Sequence, residues 1–409
     1  MNFRWSEMQT QVREYHSLPL LQYRPCPICG SLKTEVRSLI EDFQFYSDTE
    51  QTPNRVILRD VQCLQCFAIF RNPVFSEVGL QILFQQAGAS YGATIGRSNE
   101  HRDWMQKNAL FKKGNRILDI GCFNGSFLAL LPKNLVKIGV DIDAPAIERG
   151  KKMYADHHIE FIVGDFENFT VKESPDAVTM FHVLEHLAKP KKILEHLRSV
   201  SHKNTKLFIE VPIVESSITN DICGFFSPHH FTHFSKTSLF HCLNSSGWEI
   251  IEAQSQQDYN GFRVLAKPAP AIQHFAGNPE DIITMNEYLS HWHQATAKVN
   301  RVLLSLKDFK KYIIWGGGTH TEYMYHLTTF FFQQADRQYF IIDSDTLKHG
   351  HTWRGLPIYS PQKLQNADVS ELPLVISSYG SQDNIAHAAI SLGVRKKNII
   401  KLYDYLKVY

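Results

Sequence analysis

Between about residues 107 and 268, short apolar runs alternate with longer stretches whose apolar positions recur every three or four residues. The runs are RILDI, KIGVDI, IEFIV, AVTMF and LFIEVPI. Near-continuous apolar runs read as strands buried on both faces, and the stretches between them read as helices. Such alternation predicts a doubly wound α/β sheet. Two further runs, WEIIEAQSQ and FRVLAKP, are joined through Asn260-Gly261, a strong hairpin signal. The pattern restarts at about residue 311 with YIIWGGG, QYFIIDSD and LPLVISS, which predicts a second, smaller α/β unit. Between the two units, the segment beginning NPEDIITMNEYL opens on a breaker and carries apolar residues at helical spacing, so it reads as a linking helix. The expected organisation is 1–85, 86–270, 271–310 and 311–409.

Composition narrows the class without selecting a function. The chain has 409 residues, 43% hydrophobic and 21% charged, as globular domains with full cores do. A net charge of +2 gives no argument for a nucleic-acid groove or an anionic membrane surface. No run approaches the length of a membrane-spanning helix, and the first residues lack the apolar core of a signal peptide. A cytoplasmic protein with a small-molecule substrate is expected, with neither nucleic acid nor membrane as partner. Oligomeric state is not legible.

Four of the seven cysteines form two Cys-x-x-Cys pairs, Cys26/Cys29 and Cys63/Cys66, with 33 residues between them. Each pair supplies two thiolates on one tight turn, and two such turns make a closed tetrahedral zinc site. A redox pair would normally come singly beside a βαβ unit. Residues 1–85 are therefore expected to be a small domain around a structural zinc ion.

In NRILDIGCFNGSFLALLP a strand runs into a small-residue loop and then a helix. Gly121 and Gly125 allow close backbone approach of a ligand at the carboxyl end of the strand. Asp141 ends the next strand, 22 residues after Asp119, where a carboxylate can accept both ribose hydroxyl protons. Asp165 and Phe166 follow the third strand and are suited to an adenine amino group and ring. Phe123 stands where a dinucleotide fingerprint has its middle glycine, which argues against a pyrophosphate. This ordered set resembles the class I S-adenosylmethionine-dependent methyltransferases. The resemblance implies a Rossmann-like sheet with a terminal antiparallel hairpin. It further implies a donor site drawing on Asp119, Gly121, Asn124, Gly125, Asp141, Asp165, Phe166, Phe181 and His182. Within FHVLEHL, Glu185 and His186 read as residues that pack the following helix.

The segment SPHHFTHFS falls between the fifth strand and the hairpin, over the carboxyl ends of the strands. A cysteine-rich start, this loop and a C-terminal α/β domain together resemble the three-domain sugar C-methyltransferases, which methylate a carbon beside the 4-keto group of a nucleotide-linked deoxysugar. In that family the loop reads approximately Tyr-His-Glu-His-Leu-Ser-Tyr-Phe-Ser. Aligned on Phe234-Ser235, its catalytic histidine falls on His230, its glutamate on His229 and its first tyrosine on Ser227. The resemblance implies that His230 is the general base, that His229 assists, and that Ser227 meets substrate. His233 is expected to be structural. In KYIIWGGGTHTEY, Gly317 and Gly318 start a helix and would hold a sugar-nucleotide diphosphate, or else only make a tight turn.

The expectation is thus a zinc-containing, S-adenosylmethionine-dependent methyltransferase acting on a nucleotide sugar at carbon. The alternatives are methylation of oxygen, a non-catalytic donor-binding scaffold, and nicotinamide-linked oxidoreduction through Gly316–Gly318.

Overall fold

RILDI forms the strand Arg116–Ile120 inside a seven-stranded sheet, next to its middle strand. The computed structural model describes residues 20–44, 55–76, 79, 95–164, 166, 169–256, 259–272, 277–306, 309–332 and 336–406. Numbered by chain order within this sheet, the strands lie 3-2-1-4-5-7-6. The first five are parallel (Arg116–Ile120, Val136–Asp141, Ile159–Val163, Ala177–Phe181 and Lys206–Pro212). The last strand, Gly261–Pro268, inserts between the fifth strand and Trp248–Ser255 and runs antiparallel to both. The two strands pair as a hairpin, but Asn260-Gly261 is not its turn: neither residue has a positive φ, and Gly261 already pairs with Pro212. Parallel order places every loop that follows strands one to five on one edge, and that edge carries the site.

The core explains the apolar runs. Leu118, Ile120, Val140, Val178, Met180, Leu207 and Ile209 are buried along the strands. Helix Pro190–Val200 buries Ile193, Leu194 and Leu197 on one face. Trp248 is fully buried, and its indole N–H donates to the Leu194 carbonyl at 2.9 Å.

The N-terminal sheet differs from expectation in one respect. Its long strands Thr34–Gln44 and Arg55–Cys63 pair with each other, Ile69–Arg71 adds to the second, and the fourth strand, Thr232–His233, is taken from the histidine segment of the central unit. The C-terminal six-stranded sheet is parallel except for the short Thr352–Trp353 edge. Helix Glu280–Leu304 also does more than link. It buries Met285, Tyr288, Trp292, Val299 and Leu303, and the Trp292 indole N–H donates to the Ile222 carbonyl at 2.8 Å. No helix among the described residues is long and apolar enough to cross a membrane.

Candidate functional site

Three residues of the loop after Arg116–Ile120 have left-handed backbone: Gly121 (φ 75°), Phe123 (φ 50°) and Gly125 (φ 76°). A Cβ on Gly121 would stand 2.3 Å from Val183 Cγ2, and one on Gly125 2.6 Å from Phe161 Cζ, so both positions require glycine. Phe123 accepts a backbone conformation that costs an L-residue roughly 1 kcal/mol, and Arg149 lies over its ring. Asp141 fixes the loop: Oδ2 accepts the Phe123 N–H at 2.7 Å and Oδ1 the Asp143 N–H at 2.8 Å. Burial pushes its carboxyl up, and these two donors pull it back. No lysine or arginine bridges it among the described residues. Each oxygen keeps a lone pair, and this pair of acceptors fits a ribose diol.

Asp119 turns into the sheet instead. It is 4% exposed, accepts from Thr179 Oγ1 at 2.6 Å, and is lifted by burial to about 7. Asn124 Oδ1 accepts the Ser126 N–H at 3.1 Å, so its side chain is used within the loop. Phe166 is half-buried against the core, while Asp165 lies outside the described residues. Phe181 stacks on His101 with ring centroids 3.8 Å apart.

His182 begins the turn after the fourth strand, also in left-handed conformation (φ 57°). Its Nδ1 lies 3.2 Å from Glu185 Oε1 and its Nε2 3.0 Å from Glu210 Oε1, with the Tyr259 hydroxyl against the same nitrogen. Burial would lower this imidazole, but the two carboxylates outweigh it and raise it to about 9. Glu210 is fully buried. Burial would raise it, but His101 and His182 hold it well below the carboxylate range. Arg263 ion-pairs with Glu210 and lies directly opposite it across the antiparallel ladder.

The histidine segment is gripped by Arg71 of the N-terminal sheet and by Arg24 from the loop that precedes it. Arg71 Nη1 donates to the carbonyls of Pro228 at 2.6 Å and Ser227 at 3.3 Å, and Arg24 Nη2 to that of Phe231 at 2.7 Å. His233 is buried, its Nε2 2.8 Å from Asp60 Oδ1, and it packs edge-on against Phe226. His229 and His230 are half-buried. Burial drives His229 down to about 3 and His230 well below the ordinary imidazole range. His230 meets His186, ring to ring at 4.8 Å, more closely than His233, whose ring centroid is 6.4 Å away, and Glu185 lies beside His186 and His230. The three histidines thus do not converge on one point. The packing role expected for Glu185 and His186 is also incomplete, since both belong to a polar cluster at the strand ends.

The carboxyl edges of the central and C-terminal sheets both face the segment after Lys206–Pro212. Tyr323 donates to the Phe226 carbonyl at 2.5 Å, and Tyr403 lies 3.3 Å from the Ile222 nitrogen. Gly317 does not offer its N–H to a ligand in this arrangement, because Asp343 Oδ2 accepts it at 2.8 Å. A Cβ there would also press on Ile358 and Ile341. Lys348 Nζ lies 2.9 Å from the same Asp343 oxygen and beside Gly318.

Cys26 Sγ lies 3.6 Å from Cys66 Sγ, and Cys29 Sγ 3.5 Å from Cys63 Sγ. A disulfide needs about 2.05 Å. Four sulfurs about 2.3 Å from a tetrahedral zinc ion stand roughly 3.8 Å apart. The four thiols together therefore fit zinc.

His101, Glu210, Tyr259 and Arg263 were not picked out from sequence. An acid in LFIEVP and a base in FRVLAKP, each within an apolar run on neighbouring strands, were the available signal. Tyr259, next to the predicted turn, carried none.

A family model described as "Methyltransferase domain" matches residues 96–253. Among curated proteins, a putative methyltransferase of Invertebrate iridescent virus 6 is 27% identical over 157 residues, covering 37% of this chain and 58% of its own. Carboxy-S-adenosyl-L-methionine synthase of Trichodesmium erythraeum (strain IMS101) is 32% identical over 92 residues, covering 20% and 36%. The chain thus spans less than two thirds of each of these relatives. Among solved structures, magnesium protoporphyrin IX methyltransferase from Synechocystis PCC 6803 with bound SAM is 14% identical at a TM-score of 0.35, covering 47% of this chain and 92% of its own. A S-adenosylmethionine-dependent methyltransferase from Clostridium acetobutylicum ATCC 824 is 9% identical at 0.37, covering 47% and 98%.

Proposed function

We propose that this chain, whose residues 96–253 match a family model described as a methyltransferase domain, transfers a methyl group from S-adenosylmethionine to a nucleotide-activated sugar. The observation that carries the reading is the meeting of two sets of groups on one sheet edge. One is the Gly121–Gly125 loop with Asp141, the other the cluster of His182, Glu185, His186 and His230.

S-adenosylmethionine, when bound, supplies a methyl group on a sulfonium. Gly121 and Gly125 would admit it, and Asp141, already fixed by two backbone donors, would accept its ribose hydroxyls. His182 lies between Glu185 and Glu210, which favour its protonated form. The Tyr259 hydroxyl and the half-buried His229 and His230 would line the acceptor side. Orientation of an acceptor in line with the methyl group can account for a large part of such a rate. His230 is the residue on which activation of the acceptor rests in this reading.

A sugar nucleotide is favoured by the third unit. Its sheet edge faces the same segment, and Lys348 beside Gly318 offers a cation for a diphosphate. Methylation at carbon is the first form of the proposal and at oxygen the second. The test compares wild type with His230→Ala. The variant is expected to bind S-adenosylmethionine with unchanged affinity and to lose turnover on its acceptor by about a hundredfold, the order of one proton-handling or polarising group. Full turnover in the variant would remove His230 from the account.

A further inference from the structure

Glu185 and His186 close the short turn Leu184–His186 at the end of the fourth strand, and His230 comes over them from the histidine segment. One ligand atom from each lies within 4.8 Å of the others. The hydrogen bonding of the three is unbalanced. His186 Nδ1 lies 2.9 Å from the His229 carbonyl, which can only accept, so Nδ1 carries the proton. In the neutral ring Nε2 then presents a lone pair, and it faces Glu185 Oε1 at 3.8 Å. Glu185 is 1% exposed; Oε1 takes His182, while Oε2 is buried without a hydrogen-bond partner. His230 Nδ1 is likewise buried and unpartnered. One ligand atom from each of two imidazoles and a carboxylate thus lies close to the others, and Glu185 Oε2 and His230 Nδ1 are buried with no hydrogen-bond partner among the described residues. Buried polar atoms left so are rare and call for an explanation. Protonating His186 would answer its contact with Glu185 Oε1 and leave both orphaned atoms as they are.

We propose that Glu185, His186 and His230 bind one divalent transition-metal cation, separate from the zinc held by the four cysteines. Two imidazoles and one carboxylate suit zinc, cobalt, iron or manganese better than calcium or magnesium, which prefer oxygen ligands. The hydrogen bond from His186 Nδ1 to a backbone carbonyl is the arrangement that orients a metal-ligating histidine. Resting on the reading that the acceptor binds at this edge, the cation would polarise an acceptor oxygen. His230 then acts as a ligand, in place of the free proton acceptor expected from the sequence.

The full chain, with its cysteine site filled by zinc, is titrated with cobalt(II) alone. Bound cobalt and zinc are counted after gel filtration, and the visible spectrum is recorded. The expected result is one cobalt per chain, with ligand-field bands and no thiolate charge-transfer band. Glu185→Gln and, separately, His230→Ala should each weaken cobalt binding about tenfold or more, with zinc content and circular dichroism unchanged. No cobalt on the wild-type chain, cobalt only with thiolate bands, or undiminished binding in both variants would overturn the proposal. The titration contains neither methyl donor nor acceptor, so its outcome stands apart from that of any methyl-transfer assay.

Discussion

His233 Nε2 lies 2.8 Å from Asp60 Oδ1, a contact between residues 173 positions apart, and both side chains are buried. Asp60 also holds Arg71 through Nε at 3.1 Å and Nη2 at 3.0 Å, and Arg71 in turn grips the carbonyls of Ser227 and Pro228. One buried carboxylate therefore balances the two groups that set the histidine segment on the N-terminal sheet.

Removing that carboxylate leaves a buried guanidinium uncompensated. Asp60→Ala is expected to destabilise the chain by about 3–5 kcal/mol. The measurement is the urea midpoint at constant slope. Asp60→Asn keeps an acceptor and should lose less. Equal stability of Asp60→Ala and wild type would mean that the triad carries no weight.

The cysteine site bears on the same segment. Cys66 stands three residues before the strand Ile69–Arg71 that pairs with Thr232–His233, and the Cys63 N–H donates to the Ala68 carbonyl at 2.9 Å. Stripping zinc with a strong chelator, or Cys63→Ser, should lower the unfolding temperature and abolish turnover while most far-ultraviolet circular dichroism of the central sheet remains. Metal analysis should return one zinc per chain before treatment. A chain free of zinc with unchanged stability would contradict this.

Asp119 gives a pH dependence. Its folded value, about 7, lies above the ordinary 3.8 because burial disfavours the charge. The unfolded chain therefore releases this proton first. The stability that protonated Asp119 supports is complete below about pH 3.8 and is lost as pH rises to about 7. The full effect is on the order of 4 kcal/mol. Asp119→Asn keeps an acceptor for the Thr179 hydroxyl and removes the titration. Denaturant titrations of the donor-free chain between pH 4 and 7 should show wild type losing stability relative to this variant. Parallel curves would contradict the assignment.

The N-terminal and C-terminal sheets are joined by a comparable group. Glu322 is fully buried and accepts from the Gln44 N–H at 2.8 Å, Trp353 Nε1 at 2.9 Å and Arg354 Nε at 3.1 Å, with His326 Nε2 at 2.9 Å. It joins the far end of the long N-terminal strand to the C-terminal unit. Glu322→Ala should cost about 3–5 kcal/mol and expose the junction to limited proteolysis. Unchanged cleavage and midpoint would show that apolar packing alone holds it.

The interior strands were legible because they are buried on both faces, so RILDI or AVTMF needs no partner to be recognised. Gly121, Gly125 and Asp141 were legible because their chemistry is local: a loop, a strand end and a fixed spacing. The polar cluster was not, because topology makes it. Glu210 meets Arg263 through antiparallel register and His182 through parallel register, and His186 meets His230 only once the segment after the fifth strand folds back. The linking helix showed its apolar spacing, but not that its Trp292 and Tyr288 would complete a core shared with Phe225 and Phe226. Likewise the glycines at 316–318 announced a nucleotide-like turn, and only Asp343 reaching back to the Gly317 N–H shows that one donor is already used.

Methyl transfer to a sugar nucleotide is the central proposed activity. The direct measurement is mass spectrometry of nucleotide sugars, with and without a 4-keto group, incubated with the protein and S-adenosylmethionine in deuterated water. The predicted result is the gain of one methyl group, with deuterium exchange beside the ketone if carbon is the acceptor. No methyl gain on any sugar nucleotide, with the donor demonstrably bound, would contradict it.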